Sequence, residues 1–292
     1  MNEQECDGHS VPVRFSKNLG VLSNVEQHRL LKASVAIVGL GCTGCHATEM
    51  LTRAGVGELV LIDGDRFEES NCNRQLYARR TTLGHFKVDC AAAAVLDVNP
   101  EARVAAHNVF LNGSNAFNLL KFVDVVVSGV DDPVAMVILH RVARKLGKPA
   151  VFVLSGCIPF EGICSTILPN GGVDYESFMG LPTKELRLEE VENARETLFK
   201  DVTLNRLRGA LERGAINGDW VEQRRAGGGA PAIATISAVT ATVAANECIK
   251  TILRRDGLDP VCAPDLIHYN GATCELRVRT PPEGSMWFQG DF

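Results

Sequence analysis

The chain has 292 residues, 46% of them hydrophobic and 22% charged, with a formal net charge of −5. That length supplies a full core in one or two domains, and the balance excludes a disordered polymer or a disulfide-stapled module. A net negative chain also argues against a general nucleic-acid surface. The opening MNEQECDGHSVPVRF has no apolar stretch behind a basic one, and no apolar run reads as long enough for a membrane span of ~18 residues. The expected setting is cytoplasmic, with no membrane partner. The cysteines, 10 in all, are scattered through core-like segments and read as reduced thiols. Cys42 and Cys45 form the one C-x-x-C pair, half of a four-thiolate zinc pattern, so no zinc is expected.

In chain order, Val35 to Val38 reads as a buried strand, followed at once by Gly39-Leu-Gly41-Cys-Thr-Gly44. Residues 45 to 54 have helical periodicity and stop at Gly55, and Leu59 to Ile62 is a second strand ending at Asp63. Residues 86 to 98 form an Ala-rich helix stopped by Asn99-Pro100. Val104 to Val109 reads as a strand, Asn115 to Lys121 as a helix and Val123 to Val127 as a strand. Val134 to Leu146 is again helical, and Ala150 to Leu154 is a strand. Strands alternating with helices at this spacing predict a parallel sheet covered on both faces. Beyond it, Gly162 to Pro169 is expected to pair antiparallel. Residues 173–229 are charged and helical without the strand rhythm, and read as an insertion or crossover over a site. Ala232 to Leu253 is an apolar helix with Lys250, Arg254 and Arg255 at its C-terminal dipole. Leu266 to Tyr269 and Glu275 to Arg279 make a final strand pair around Asn270-Gly271, a strong hairpin dipeptide. The expected fold is α/β: a Rossmann-like, doubly wound, mostly parallel sheet extended by antiparallel C-terminal strands. One domain covers residues 1–292, and residues 1–30 form an N-terminal arm.

Gly39, Gly41 and Gly44 fit G-x-G-x-x-G between a strand and a helix, and Asp63 ends the following strand. The glycines let backbone approach a phosphate held by the helix N-terminus, and the acid suits ribose hydroxyls. On that alone a nicotinamide or flavin dehydrogenase is the ordinary reading. Cys42 and Cys45 lie inside this loop, as a redox pair or simply as small loop residues. The segment Asp63-Gly-Asp65-Arg-Phe-Glu-Glu-Ser70-Asn71-Cys-Asn73-Arg74-Gln75 is more specific. Lys87 begins the next helix, and Asp131-Asp132 follows another strand. Cations and acids around a phosphate loop fit a nucleoside triphosphate better than a dinucleotide. Arg and Lys hold phosphoryl oxygens as charge develops, and an Asp holds magnesium.

Together these residues resemble the ThiF/MoeB/HesA superfamily, whose eukaryotic relatives activate ubiquitin and ubiquitin-like proteins. The similarity runs from about Arg14 to Arg279, leaving out 173–229. Its strongest motif is D-x-D-x-x-x-x-S-N-x-x-R-Q, from Asp63 to Gln75. Leu83-Gly84 with Lys87, Asn99-Pro100, Gly156 with Glu161-Gly162, and Ala230-Pro231 leading to Asn246-Glu247 and Lys250 resemble its weaker motifs.

The resemblance implies ATP- and magnesium-dependent adenylation of a carboxylate, which yields an acyl-adenylate and pyrophosphate. The implied carboxylate is the C-terminal glycine of a ubiquitin-like or sulfur-carrier protein. By position, it implies a phosphate loop of Gly39, Gly41, Cys42 and Gly44, with Asp63 on the ribose. Asp65, Ser70, Asn71, Asn73 and Gln75 line the nucleotide, Arg74 and Lys87 meet the phosphates, and Asp131 holds magnesium. Arg14 resembles the arm that reaches a partner's site, which implies a homodimer with an arginine acting in trans.

Several positions depart from the pattern. Cys42 replaces the loop's second glycine, and Asp132 replaces an asparagine, which makes it a weaker nucleotide contact. The family's zinc cysteines would fall near Asp174 and Ser177 and again within Gly284 to Phe288, and neither place has a cysteine. None lies between Cys164 and Cys248, where thioester-forming members keep a nucleophile, and Cys157 and Cys164 are outside candidates. These departures keep open a small-molecule or tRNA-borne carboxylate. Arg187, Arg195, Arg206, Arg208, Arg213, Arg224 and Arg225 could meet an acidic partner, or pair with neighbouring glutamates. An NAD-dependent oxidoreductase and a non-catalytic dimer partner remain as readings from other classes.

Overall fold

The computed structural model describes residues 10–156, 158, 160–195, 211, 214, 216–225 and 232–280. Cys157, Arg206, Arg208, Arg213, Gly227 to Pro231 and Gly284 to Phe288 lie outside the described residues, as do the side chains of Arg224 and Arg225.

A single sheet organises the fold. Its strands are β1 (Ser34–Val38), β2 (Glu58–Ile62), β3 (Arg103–His107), β4 (Val125–Ser128), β5 (Ala150–Ser155), β6 (Glu161–Ile167), β7 (Leu266–Asn270) and β8 (Glu275–Arg279). They lie in the order β3-β2-β1-β4-β5-β6-β7-β8. The first five are parallel, and β6, β7 and β8 add antiparallel pairs, as the expected fold class requires. The helices are α1 (Asn24–Lys32), α2 (Cys42–Ala54), α3 (Lys87–Val98), α4 (Ala116–Leu120), α5 (Pro133–Lys145), α6 (Tyr175–Met179), α7 (Leu188–Asn193), α8 (Gly218–Arg225) and α9 (Ala234–Leu253).

The period-two alternation of the strands divides the core into two layers. Ala36, Val38, Val126, Phe152 and Leu154 face the layer that α4, α5, α6 and α7 close. Val35, Ile37, Val127, Val151 and Val153 face the opposite layer, under α2, α3 and α9. Both faces of β1 and β4 are buried, which explains why these strands are continuous apolar runs rather than alternating ones.

Three local readings change. Among its described residues, the segment expected as an arm to residue 30 contains a 3-10 turn (Val13–Asn18) and the start of α1, which begins on a capping box between Ser23 and Glu26. Arg255 ion-pairs with Glu26 and Arg29 donates to the Leu253 carbonyl, so α1 is clipped to the C-terminus of α9. The Arg255 hydrogen bonds hold the Glu26 carboxyl down at about 2. The helix α9 has 20 residues and is long and apolar enough to cross a membrane by length and composition, contrary to the expectation for apolar runs. In this fold it packs against α2, β5 and β6. The β7–β8 hairpin forms, but its turn runs over 271–274, where Asn270 Oδ1 accepts the Ala272 and Thr273 amides. The left-handed residue is Cys274, at φ 58°, so this is no two-residue Asn-Gly turn.

One core group carries a pH signature. His140 of α5 is buried, its ring stacked 4.1 Å from Tyr175, and neither ring nitrogen has a hydrogen-bond partner among the described residues. Burial pulls its pKa down to about 3. Below the ordinary histidine value the unfolded chain gains a proton that the folded chain refuses, so stability is full above about pH 6.5 and falls as pH drops toward 3. From pH 7 to pH 5 this group alone removes about 2 kcal/mol. In urea unfolding at both pH values, His140→Phe should lose that much less than the parent. Equal losses in the two proteins would contradict it.

Candidate functional site: the C-terminal edge of β1, β2 and β4

The strand order reverses between β1 and β4, which opens a crevice beyond their C-terminal ends, the usual ligand site of such sheets. The turn from β1 into α2 occupies it. Gly39 has φ +85° and donates its N–H to the Ile62 carbonyl at 2.8 Å. A Cβ on Gly44 would sit 1.8 Å from the Gly39 oxygen, so the helix can dock this tightly only through glycine. Gly41 caps α2 with no side-chain hydrogen bond, and the space beside its Cα is open. The first-turn amides of α2 therefore lack a side-chain cap, and an anion suits them.

Asp63 braces this loop. It is 8% exposed, and its carboxylate accepts the Leu40 amide at 2.6 Å and the Asp65 amide at 2.8 Å. It ties the phosphate loop to the segment after β2. Asp65 remains half-exposed and receives Lys87 Nζ at 3.0 Å. Lys87 opens α3 with its side chain buried, so a fixed cation stands behind an exposed carboxylate.

The rest of the motif folds on itself. Asn71 Oδ1 accepts the Glu68 amide at 3.1 Å, and Asn71 Nδ2 lies 3.4 Å from Ser70 Oγ. Arg74 donates to the Ser70 carbonyl at 2.8 Å and to Asn73 Oδ1 at 2.9 Å. Asn73 in turn donates to the Ala232 carbonyl at 3.0 Å, just before α9. Gln75 is buried, and its Oε1 has no hydrogen-bond partner among the described residues. Asp131 is exposed after β4, whereas Asp132 caps α5 through the Ala135 amide and pairs with Arg195. Gly39, Gly41, Cys42, Gly44, Asp63, Asp65, Ser70, Asn71, Asn73, Arg74, Gln75, Lys87, Asp131 and Asp132 thus belong to the one sheet edge.

Arg14 does not. It donates to Asn99 Oδ1 at 2.9 Å and Glu101 Oε1 at 3.2 Å, just ahead of β3, where the strands begin. Arg14 sits at the far end of the sheet from the glycine turn of its own chain.

A single exposed carboxylate beside phosphates is the ordinary donor set for magnesium, a hard cation that keeps several waters, so Asp131 fits that ion. Among the described residues no cluster of three His, Cys, Asp or Glu side chains is set to hold a metal. At the first of the two zinc positions, Asp174 Oδ1 instead accepts the Ser177 amide at 2.7 Å and caps α6.

A family model described as the ThiF family matches residues 15–285. The chain belongs to the ThiF family. It is 38% identical over 141 residues to the adenylyltransferase and sulfurtransferase MOCS3 of Drosophila willistoni, covering 47% of this chain and 31% of that protein. With the protein of the same name from Drosophila ananassae, identity is 28% over 257 residues, 87% of this chain and 48% of that one. The chain therefore spans less than half the length of these relatives. Among solved structures it is similar to Escherichia coli MccB, with a TM-score of 0.68, 19% identity, and coverage of 98% of this chain and 74% of the other. That likeness concerns the fold.

Sequence reasoning on this ThiF-family chain missed three groups near the site. Ser155 and Ser237 meet at 3.2 Å, with Cys42 Sγ 3.9 Å from Ser155 Oγ. Phe110, 64% exposed, lies against the backbone of Gly64. Glu192 of α7 accepts the Gly113 amide at 2.9 Å. An aromatic shortly after a strand was the one available signal; the others depend on long-range packing.

The cysteine pair is asymmetric. Cys45 is buried, its thiol pushed up to about 12 by burial and donated to the Gly41 carbonyl, whereas Cys42 is only partly buried, and outside the pair Cys72 is exposed. A protonated, inaccessible thiol is inert. Native protein treated with iodoacetamide at pH 8 should alkylate at Cys72 and stay unmodified at Cys45 by peptide mass mapping. A Cys42–Cys45 disulfide under mild oxidant would show instead that the pair is redox-active.

Proposed function

We propose that this chain is an ATP- and magnesium-dependent adenylyltransferase that converts a carboxylate into an acyl-adenylate with release of pyrophosphate. One observation carries the reading: an α2 N-terminus without a side-chain cap, the Lys87–Asp65 pair, Arg74 and the exposed Asp131 share one crevice edge. The α2 amides and Lys87 would receive phosphoryl oxygens, and Arg74 would offer the guanidinium N–H groups that its own loop leaves unused. Asp131 would hold magnesium, which when bound draws charge from the phosphates. Ser70, Asn71, Asn73 and Gln75 would line the nucleotide, and Asp63 would fix the loop against which the ribose lies.

The carboxylate that best suits the similarity to MOCS3 is the C-terminal glycine of a ubiquitin-like or sulfur-carrier protein. A small-molecule or tRNA-borne carboxylate is the second reading, favoured by the sequence having no cysteine at Asp174 or Ser177 and none between Cys164 and Cys248. A cytoplasmic setting belongs to the same proposal. The nicotinamide alternative gives Arg74 and Lys87 no task.

Arg14 would complete the site of a second copy in a homodimer. Its position at the opposite sheet end favours action in trans over action within its own chain.

In ATP–pyrophosphate exchange with the cognate carboxylate, Arg74→Ala and Asp131→Ala should each lose about 100-fold or more while circular dichroism stays unchanged. Full exchange in either variant would remove that residue from the site. Arg14→Ala should be inactive alone. After co-refolding equal amounts of Arg14→Ala and Arg74→Ala, about a quarter of parental activity should return, because half the dimers then hold one intact site. An arginine acting within its own chain would give no recovery.

A further inference from the structure

The start of the 173–229 segment is fastened to the site edge at three points. Val191 of α7 is fully buried in the layer under α5. Glu192 Oε1 accepts the Gly113 amide, in the connection between β3 and α4. Arg195 Nη1, just past α7, ion-pairs with Asp132 Oδ2. The segment thereby reaches from the loop after β3 to the loop after β4, the loop that bears Asp131.

Asp132 has two tasks in that loop. One carboxylate oxygen accepts the Ala135 amide at 2.8 Å and caps α5, and the other meets Arg195. Asparagine caps a helix as well as aspartate does, so capping alone does not need the charge. The charge answers Arg195. Unpaired, it would stand next to Asp131 and face the same anionic phosphates, and a nucleotide triphosphate would meet two negative side chains rather than one.

We propose that Arg195 is a positioning residue of the adenylation site: it neutralises Asp132 and holds the β4–α5 loop, so that Asp131 alone presents free negative charge to magnesium-nucleotide. The inference rests on the proposed adenylation, which it deepens by assigning the inserted segment a task in nucleotide affinity. Both partners are partly exposed, with side chains 55% and 35% accessible, so the effect is moderate and screened by salt.

Two measurements test it on the full chain. The first needs no nucleotide. Amide hydrogen exchange across residues 129–136 should quicken in Arg195→Ala and stay near the parental rate in Arg195→Lys. The second is magnesium-ATP affinity by calorimetry. Arg195→Ala should weaken binding about fivefold at low salt, with the difference shrinking in 0.5 M salt. In an Asp132→Asn background the same change should add nothing, since no charge is left to neutralise. A purely structural arginine would show an equal loss in both backgrounds and at both salt levels. That result, or unaltered exchange and affinity in Arg195→Ala, overturns the proposal. A parental protein that fails to bind magnesium-ATP overturns the adenylation reading, while the exchange rates still decide whether Arg195 holds the loop.

Discussion

The carbonyl oxygen of Gly39 occupies space that a β-carbon on Gly44 or Gly129 would need, and this close approach determines how α2 meets the sheet. Because both neighbours lack side chains, the helix N-terminus descends into the crevice between β1 and β4 instead of standing off it. Gly129 reinforces the join by donating its N–H to the Val38 carbonyl at 2.8 Å. Everything chemical in the structure is arranged around that point. Asp63 ties the loop to the next strand, and the segment it begins carries Asp65 and Arg74. The β4–α5 loop brings Asp131 from the other side.

The arrangement pairs some of the charges at this edge and leaves Asp131 exposed. Lys87 is buried behind Asp65, and Asp132 is committed to its helix cap and to Arg195. Arg74 is braced from within its own loop by the Ser70 carbonyl and Asn73. In the proposed adenylation such bracing would reduce the reorganisation needed when charge develops on a phosphate, which is the main way preorganised sites lower barriers. Within the same motif the buried Gln75 Oε1 has no hydrogen-bond partner among the described residues.

The charged stretch from residue 173 is built into the domain at its start. Arg141 of α5 donates to both oxygens of Glu176 at 2.7 and 2.8 Å and also to the Thr183 and Leu186 carbonyls. Those bonds join α5, α6 and the approach to α7 through one guanidinium whose planar fork suits a carboxylate. With Glu192 and Arg195 farther along, the described start of this stretch, residues 173–195, is seated beside the crevice at β1 and β4.

Much was legible in the chain alone. Continuous apolar runs marked β1 and β4 because strands buried on both faces cannot alternate, and the glycine spacing marked the turn because Gly39, at positive φ, and Gly44, against the Gly39 oxygen, leave no room for a side chain. The Asp63–Gln75 motif marked the site because polar residues so dense have few other uses at a strand's end. The hairpin dipeptide Asn270-Gly271 located a turn but misjudged its form, since Asn270 bonded forward to the amides of Ala272 and Thr273. The helix α9 looked like any apolar stretch until its neighbours were known. Local composition and spacing thus determined the elements, their order and the candidate chemistry, for they depend on residues near one another in sequence. Tertiary structure alone decided the ion pairs between distant segments. Lys87 with Asp65, Arg195 with Asp132 and Arg14 with Glu101 join residues distant in the chain, and only the packing of the sheet and its helices sets their separation.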